Sequence, residues 1–346
     1  MARWTIPPAA LEQFYGQGLY PVVQAVQRLL FGWWPLSSSL VGLLFVLALV
    51  GYWMLRGLRR GRGEGWRAAG RAAVGMLRAA VVLLTLFFFC WGLNYGRPGV
   101  PERLGLSQAP RELMSTEALA AEYARTATVV NDLRTSAVRT EQASRPLSAE
   151  ESARLGADLR DVLAQLSVGT VPVRRLRVLP KGALLRFGTA GVYSPWTGDP
   201  HIDGGLHPLQ QRFTAAHELA HQQGITDEGD CNLLAYLTCA TSTRPLEVYS
   251  AELTYLRYLR SAIARRDRDV LEGLSPKLDT AVVADLRAIR AASDAYTEIA
   301  PRVRDLVYDS YLRTQGVPDG LSSYGRIIDY VVAVRKARPE LLGGSR

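Results

Sequence analysis

The sequence predicts a mostly α-helical protein with a small β-sheet, preceded by two transmembrane helices. After Gly99, long stretches rich in Ala, Leu and charged residues are typical of helices. Residues 171–193 differ, because apolar and polar positions alternate there between Gly and Pro breaks, a pattern that favours short strands. Nearer the N-terminus, two apolar runs are each long enough to cross a bilayer.

The two apolar runs cover residues 36–55 and 72–93. The first contains no charged residue, and Arg78 lies near enough to the start of the second to reach the headgroups. Tryptophans flank the runs as they do at membrane interfaces: Trp33, Trp34, Trp53 and Trp91. The alternative interpretation is a pair of buried core helices.

The segment between the runs predicts the orientation. Residues 56–71 carry several arginines, opposed only by Glu64, and short Arg-rich loops stay in the cytoplasm. Residues 1–98 are therefore predicted to be a multi-pass plasma-membrane anchor, and residues 99–346 an extracytoplasmic domain. No cleavable signal peptide is apparent, and residues 8–31 are expected to form a helix at the outer surface.

Charge and cysteine content narrow the class of protein. The net charge of +9 and pI of 9.6 would suit a nucleic-acid partner. Much of the charge lies in the 56–71 loop, so a lipid bilayer explains it and no nucleic acid is expected. Cys231 and Cys239 would lie about 12 Å apart on one helix, beyond disulfide reach. The outer domain is expected to fold without disulfides.

The elements of the outer domain follow from local signals. Helices are predicted over residues 111–138, 148–166, 247–266, 277–312 and 321–337. Glu150 and Glu151 after Ser148 mark a helix start. Within the strand region, residues 189–195 are a candidate sheet edge to which a peptide substrate could add as an extra strand. Ordinary pairing within the sheet is an equally good interpretation.

The pentapeptide His217-Glu218-Leu219-Ala220-His221 spells H-E-x-x-H within a helical pattern. Positions i and i+4 share one helix face, so His217 and His221 can reach a single metal ion. Glu218 can then take a proton from a metal-bound water. A surface helix with solvated His and Glu side chains is the alternative.

A catalytic zinc site needs a third protein ligand. Glu228-x-x-x-Asn232 resembles the E-x-x-x-D/N element of gluzincin metallopeptidases, in which the Glu is the third zinc ligand and the later residue supports the site. The resemblance implies that Glu228 binds zinc and that Asn232 orients a ligand His. Asp230 is the rival third ligand, while Glu247 and Glu252 are weaker candidates expected at solvated helix positions. Adjacent Cys231 is expected to be a small buried thiol.

The run from Phe213 to Leu237 is similar to a bacterial family of membrane-anchored proteins of unknown function with a zinc-peptidase-like domain. The chain departs from that pattern at Asp230, where Glu is common, and at Leu233, where Phe is usual. Other blocks that resemble the family are Trp91–Tyr95, Gly191–Gly198 and Ser323–Arg326. The resemblance implies a zincin-like α+β metallopeptidase domain.

The implied function is a membrane-anchored zinc metallopeptidase that hydrolyses peptide bonds of a peptide or protein substrate. A zinc-activated water would attack the carbonyl, with Glu218 as general base. Tyr324 is the first candidate to stabilise the oxyanion, followed by Tyr193 and His201, although each is also explained as a structural residue. His201 and His207 lie just before the metal helix in a Gly- and Pro-rich loop, and could equally shape the mouth of the cleft.

Two other classes of protein stay open. A zinc-binding pseudo-peptidase could act as an envelope sensor or binding module, although pure metal binding would not need Glu218. A structural membrane protein could keep the motif for stability alone.

Overall fold

The computed structural model describes residues 6–34, 42, 48, 51–52, 65–106, 114–136, 138–274, 277–299, 301–314 and 325–342. The N-terminal part contains helices α1 (Pro8–Leu11) and α2 (Tyr20–Phe31), joined by the π-helix Glu12–Leu19. A long helix α3 (Gly65–Cys90) follows, and the 3₁₀ turn Gly92–Gly96 leads from it into the remainder of the chain.

The rest is mostly helical with a small sheet. Its helices are α4 (Val100–Arg103), α5 (Thr116–Ser136), α6 (Thr140–Ala143), α7 (Ala149–Gln165), α8 (Pro208–Gln222), α9 (Glu228–Ala240), α10 (Pro245–Arg266), α11 (Arg268–Leu274), α12 (Thr280–Asp294), α13 (Pro301–Thr314) and α14 (Ile327–Ala337). Two further 3₁₀ turns cover Leu185–Phe187 and Pro339–Leu342. The strands are β1 (Arg177–Leu179), β2 (Gly191–Tyr193) and β3 (Pro200–Asp203).

The three strands form one sheet in the order β1-β3-β2. β1 pairs with β3 in parallel, with Val178 opposite Ile202, and β2 pairs with β3 antiparallel, with Val192 opposite His201. Helix α8 packs against this sheet on one side and against α7, α9 and α10 on the other. Its residues from Leu209 to Gln222 are buried except Thr214, so the predicted metal helix lies at the centre of the fold.

Most predicted helices form where the local signals placed them. Ser148 caps α7 with a full capping box, in which its Oγ accepts from the Glu151 N–H and the Glu151 carboxylate accepts from the Ser148 N–H. The predicted helix 277–312 is instead two helices, because α12 ends at Asp294 and Pro301 begins α13 after the non-helical residues 295–299. The predicted strand region 171–193 supplies only β1 and β2.

The third strand was not predicted. β3 lies in the Gly- and Pro-rich stretch expected to be a loop, and it begins with Pro200. All four of its side chains are buried, so its pattern lacks the alternation that marks a half-exposed strand. His201 is therefore a sheet residue and not a residue of a loop at the cleft mouth.

One helix in the described part of the chain is long and apolar enough to cross a membrane, over Ala73–Cys90 within α3. It ends three residues before the predicted limit of the 72–93 run, because residues 92–96 turn into the domain. Residues 65–71 are helical rather than part of a loop. The predicted span 36–55 lies, apart from residues 42, 48, 51 and 52, outside the described residues.

The N-terminal helices pack against the end of α3 and the strand region. A small cluster joins them, formed by Leu11, Tyr15, Tyr20, Trp91, Val171 and Tyr193. Glu12 is buried between two guanidinium groups, with Arg97 Nε and Arg103 Nη2 each 2.6 Å from its Oε2. Residues on both sides of α3 therefore share one packed unit.

Candidate metal centre

Helix α8 places its two histidines side by side, as the i, i+4 spacing predicts. The imidazole rings of His217 and His221 lie 4.9 Å apart between centroids. Helix α9 brings its first residue, Glu228, to the same place, with its Oε2 3.1 Å from His217 Nε2 and 3.4 Å from His221 Nε2. Three potential ligand atoms thus converge in a buried space.

The outer edges of both rings are held by hydrogen-bond acceptors. His217 Nδ1 lies 2.9 Å from Asn232 Oδ1, and His221 Nδ1 lies 2.9 Å from the carbonyl oxygen of Ile225. In the neutral form of each ring, these acceptors place the proton on Nδ1. The Nε2 lone pair of each ring is then directed toward Glu228, which is the arrangement of metal-binding histidines.

Gly224 makes the Ile225 carbonyl available. The residue follows α8 with φ +87°, a left-handed conformation that favours glycine at helix ends. The chain then reverses and returns along the outer edge of His221 before α9 begins. The Asp227 carboxylate caps α9 by accepting from the backbone N–H groups of Gly229 and Asp230.

A buried group of His217, His221 and Cys231 could hold a metal ion, since its ligand atoms lie within 4.8 Å of one another. The Cys231 Sγ lies 3.3 Å from His221 Nδ1, the nitrogen that faces the Ile225 carbonyl. Burial raises the pKa of this thiol to about 12, so it stays protonated near neutral pH. Cys231 and Glu228 therefore approach His221 from opposite edges of the ring.

The rival carboxylate, Asp230, points elsewhere. Its Oδ2 accepts a 2.8 Å hydrogen bond from the backbone N–H of Val100, and it lines a separate polar cavity of about 120 Å³. Burial, with the nearby Asp227 charge, raises the pKa of Asp230 to about 8. Burial alone would also raise the pKa of Glu228, but His221 and His217 hold it well below its usual range.

Glu218 lies beside the two histidines and is almost wholly buried. Burial raises its pKa to about 7, although the positive charges of His217 and His221 oppose the shift. A Cβ on Gly191 would lie only 2.5 Å from Glu218 Oε1, so strand β2 passes the carboxylate where no side chain fits. The other oxygen, Oε2, has no hydrogen-bond partner among the described residues.

The side chains of His217, Glu218, His221 and Glu228 line a cavity of about 1070 Å³. Strand β2 forms part of its wall, at the edge of the described sheet. Because the Ala190 carbonyl accepts from β3 and the Ser194 N–H donates to the Asp199 carbonyl, the N–H and C=O groups of Gly191 and Tyr193 point away from β3. The predicted segment 189–195 thus contains an edge strand.

The cavity also contains two residues that the sequence did not single out, Arg257 and Tyr258 of α10. Asn232 hydrogen bonds to the Tyr258 hydroxyl, which partly offsets the burial that raises this pKa to about 12. The Asn232 side chain therefore contacts both His217, through its Oδ1, and the Tyr258 hydroxyl. Burial lowers the pKa of Arg257.

The three residues predicted as candidates to stabilise the oxyanion have different locations. Tyr324 lies outside the described residues. Tyr193 lines the cavity, but its hydroxyl accepts a 2.8 Å hydrogen bond from Gln24 Nε2 and lies 3.4 Å from the Tyr20 hydroxyl. His201 is buried within β3, with Nδ1 3.2 Å from the Val192 carbonyl oxygen, and burial lowers its pKa. No signal in the sequence distinguished the environment of Tyr193 in the cavity wall from that of His201 in the sheet.

Three further predicted candidates have structural roles. His207 lies at the N-cap of α8, where its Nδ1 accepts from the Leu209 N–H. Glu247 and Glu252 are buried, so the expectation of solvated positions was wrong. Glu247 accepts from the Ser242 hydroxyl and Glu252 from the Tyr236 hydroxyl, which compensates for their loss of solvent.

The comparisons with known proteins identify one family. No curated protein and no solved structure matched the chain. The profile of one family, described as "Protein of unknown function (DUF3810)", matches residues 15–332. That range covers most of the chain and contains α2, α3, the sheet and every residue of the candidate centre, so the chain belongs to the DUF3810 family.

Proposed function

We propose that this protein is a membrane-anchored zinc metallopeptidase. The observation that carries the proposal is the pair of histidine Nε2 atoms that face one carboxylate oxygen of Glu228, with both Nδ1 atoms fixed from behind. Two imidazoles and a carboxylate are a ligand set of catalytic zinc sites. The same helix supplies Glu218, which a site for metal binding alone would not need.

The donor set supports Glu228 as the third ligand over Cys231 and Asp230. Its carboxylate is ionised and lies on the Nε2 side of both rings, whereas the Cys231 thiol approaches His221 at Nδ1. Asp230 is engaged with the Val100 N–H. When bound, zinc would supply a Lewis acid that polarises the scissile carbonyl and lowers the pKa of coordinated water.

Glu218 is positioned to move the proton. Its carboxylate lies beside both histidines in the wall of the cavity, within the reach that a group transferring a proton at the metal needs. We propose that Glu218 accepts a proton from the attacking water and delivers it to the leaving amine as the peptide bond breaks. Oε2 has no competing partner among the described residues, which leaves it available to the water.

Strand β2 and helix α10 would position the substrate. The outward N–H and C=O groups of Gly191 and Tyr193 can pair with an extended peptide, as in β-strand addition. Such a peptide would pass beside Glu218, because Gly191 has no side chain to block it. Tyr258 and Arg257 supply the hydrogen-bond donors that the developing oxyanion needs in addition to the metal.

The membrane topology belongs to the same proposal. The N-terminal helices and the domain after α3 pack together, so they lie on one side of the bilayer. If Ala73–Cys90 crosses the bilayer, the chain must cross an even number of times between Trp34 and Trp91. We propose residues 36–55 as the other crossing, with the Arg-rich segment between them cytoplasmic and the domain outside.

The test uses the full chain purified in detergent, with metal content and cleavage of a peptide library measured on each form. The variants are Glu218→Gln, His221→Ala, Glu228→Gln and Asp230→Asn. Glu228 and Asp230 are a matched pair, since both are buried acids in the first turn of α9. We expect one zinc per chain in the parent and loss of zinc in His221→Ala. Zinc binding should be weakened in Glu228→Gln but not in Asp230→Asn.

Glu218→Gln should keep zinc and lose cleavage. Zinc in every form with no cleavage by the parent would favour a zinc-binding sensor. A parent that takes up no zinc would contradict the proposal, and weakened zinc in Asp230→Asn but not Glu228→Gln would reverse the assignment of the third ligand.

A further inference from the structure

The candidate membrane span ends at the cleft. Trp91, the residue after Ala73–Cys90, lines the cavity and packs against Tyr193, with ring centroids 4.6 Å apart. The same indole lies 6.3 Å from the ring of His221. Because no linker separates the span from the cavity wall, the metal centre lies beside the end of α3 and close to the surface of a bilayer that holds this helix.

Strand β2 leads from the metal centre to the span. It passes Glu218 at Gly191 and reaches Trp91 at Tyr193. The turn that follows carries Trp196, whose ring lies 6.1 Å from that of Phe87 in α3. A peptide paired along the open edge of β2 would therefore run from the bilayer surface past the general base.

The N-terminal helices present an apolar surface beside the end of the span. The Tyr15 hydroxyl donates to the Phe89 carbonyl, and Gln24 and Gln27 on the inner face donate to Tyr193 and Pro195. The outer face is exposed and apolar: Phe14, Val22, Val26, Leu29, Leu30 and Trp33. Helices that are anchored to the domain on one side and expose an apolar face on the other fit a surface that rests on lipid.

Exposed apolar side chains also surround the opening of the cavity. Phe187 is 54% exposed, Val192 42%, Ile299 53% and Val303 60%, and all four line the cavity. Apolar groups gathered at a binding cleft mark the chemistry of what binds there. They fit the apolar side chains of a polypeptide as it leaves a bilayer.

We propose that the substrate is the juxtamembrane segment of a membrane-anchored polypeptide, bound along β2 and cut within a few residues of the bilayer surface. This inference rests on the proposed peptidase function and on α3 lying in the membrane. Because the span ends beside the cleft, a polypeptide segment close to the bilayer can reach the site. The exposed apolar residues at the opening of the cavity favour a segment with apolar side chains. Soluble peptides of the same sequence are cleaved as well, but more slowly than the anchored form.

The test uses the full chain in lipid nanodiscs and one fluorescent apolar peptide in three forms. The peptide is soluble, lipid-anchored through about 4 residues, or lipid-anchored through about 30. Four residues reach roughly 14 Å when extended, whereas 30 flexible residues average roughly 30 Å. Binding is measured on Glu218→Gln by energy transfer, and cleavage on the parent. A matched pair of variants, Val303→Asp and Val178→Asp, compares two exposed valines, of which only Val303 lines the cavity.

We expect binding and cleavage to favour the short anchor over the long one by about tenfold or more, and both over the soluble peptide. Val303→Asp should weaken binding of the short-anchored peptide severalfold, while Val178→Asp leaves it unchanged. Equal use of all three forms, or preference for the long anchor, overturns the inference while the peptidase function stands. Zinc uptake with no cleavage of any form overturns both.

Discussion

The hydrogen bond between His217 and Asn232 offers the sharpest test of the proposed centre. Asn232→Ala would remove the acceptor at 2.9 Å from His217 Nδ1, in a residue that is only 2% exposed. The ring would be left with a buried, unpaired N–H or would turn over to the other tautomer. Either change weakens the presentation of Nε2 to the metal.

The magnitude follows from the burial of the site. An unsatisfied buried donor costs about 1–3 kcal/mol. At about 1.4 kcal/mol per tenfold change, this corresponds to a loss of roughly 5- to 150-fold in zinc affinity. Asn232→Asp keeps an acceptor oxygen at the same place and should retain the affinity of the parent within a few fold.

Zinc affinity would be measured by competition with a chromophoric chelator on the full chain in detergent at fixed pH. Unfolding temperatures of the zinc-free forms would separate a general loss of stability from a change at the site. Parental zinc affinity in Asn232→Ala would refute the inferred tautomer and the supporting role of the amide.

Three other predictions follow from described contacts. Gly191→Ala should lower kcat at least tenfold with zinc retained, because its Cβ would lie 2.5 Å from Glu218 Oε1; unchanged turnover would show that β2 can shift. Tyr258→Phe should lower kcat by about 10²–10³ with little change in KM if the hydroxyl stabilises the oxyanion; a change in KM alone would assign it to substrate binding. Burial would raise the pKa of Glu12, but Arg97 and Arg103 hold it below the usual 4.5 of a glutamate. The ionised Glu12 therefore stabilises the fold at pH values above 4.5, and this stabilisation is lost as the pH falls through the lowered pKa. Glu12→Gln should therefore cost about 3–5 kcal/mol near neutral pH and progressively less in acid, and pH-dependent thermal unfolding would check this.

The residues of the site that lie close to one another in the sequence could be predicted. Helical periodicity placed His217 and His221 on one face, and the resemblance to gluzincin metallopeptidases assigned Glu228 and Asn232 to the same site. The structure brings these four residues together. A local rule sufficed for the two histidines because their relation lies within one helix.

The remaining features depend on packing between distant segments. Arg257 and Tyr258 reach the cavity only because α10 crosses behind α8, and no local pattern records that crossing. The burial of Glu247 and Glu252 has the same origin, since a carboxylate on a helix is expected in solvent until a distant partner is known. β3 was missed because burial on both faces removes the alternation that identifies a strand.

The close packing of the N-terminal helices has a consequence for how the protein is assembled. Tyr20 donates to the carbonyl of Gln222, the residue after His221, and Tyr20 precedes the membrane segment while Gln222 follows it by more than a hundred residues. The N-terminal helices must therefore be held beside the bilayer until helix α8 is made and packs against them. Formation of the site would therefore depend on membrane insertion, because Tyr20 and Gln24 contact Tyr193 in the cavity wall only when the N-terminal helices are in place.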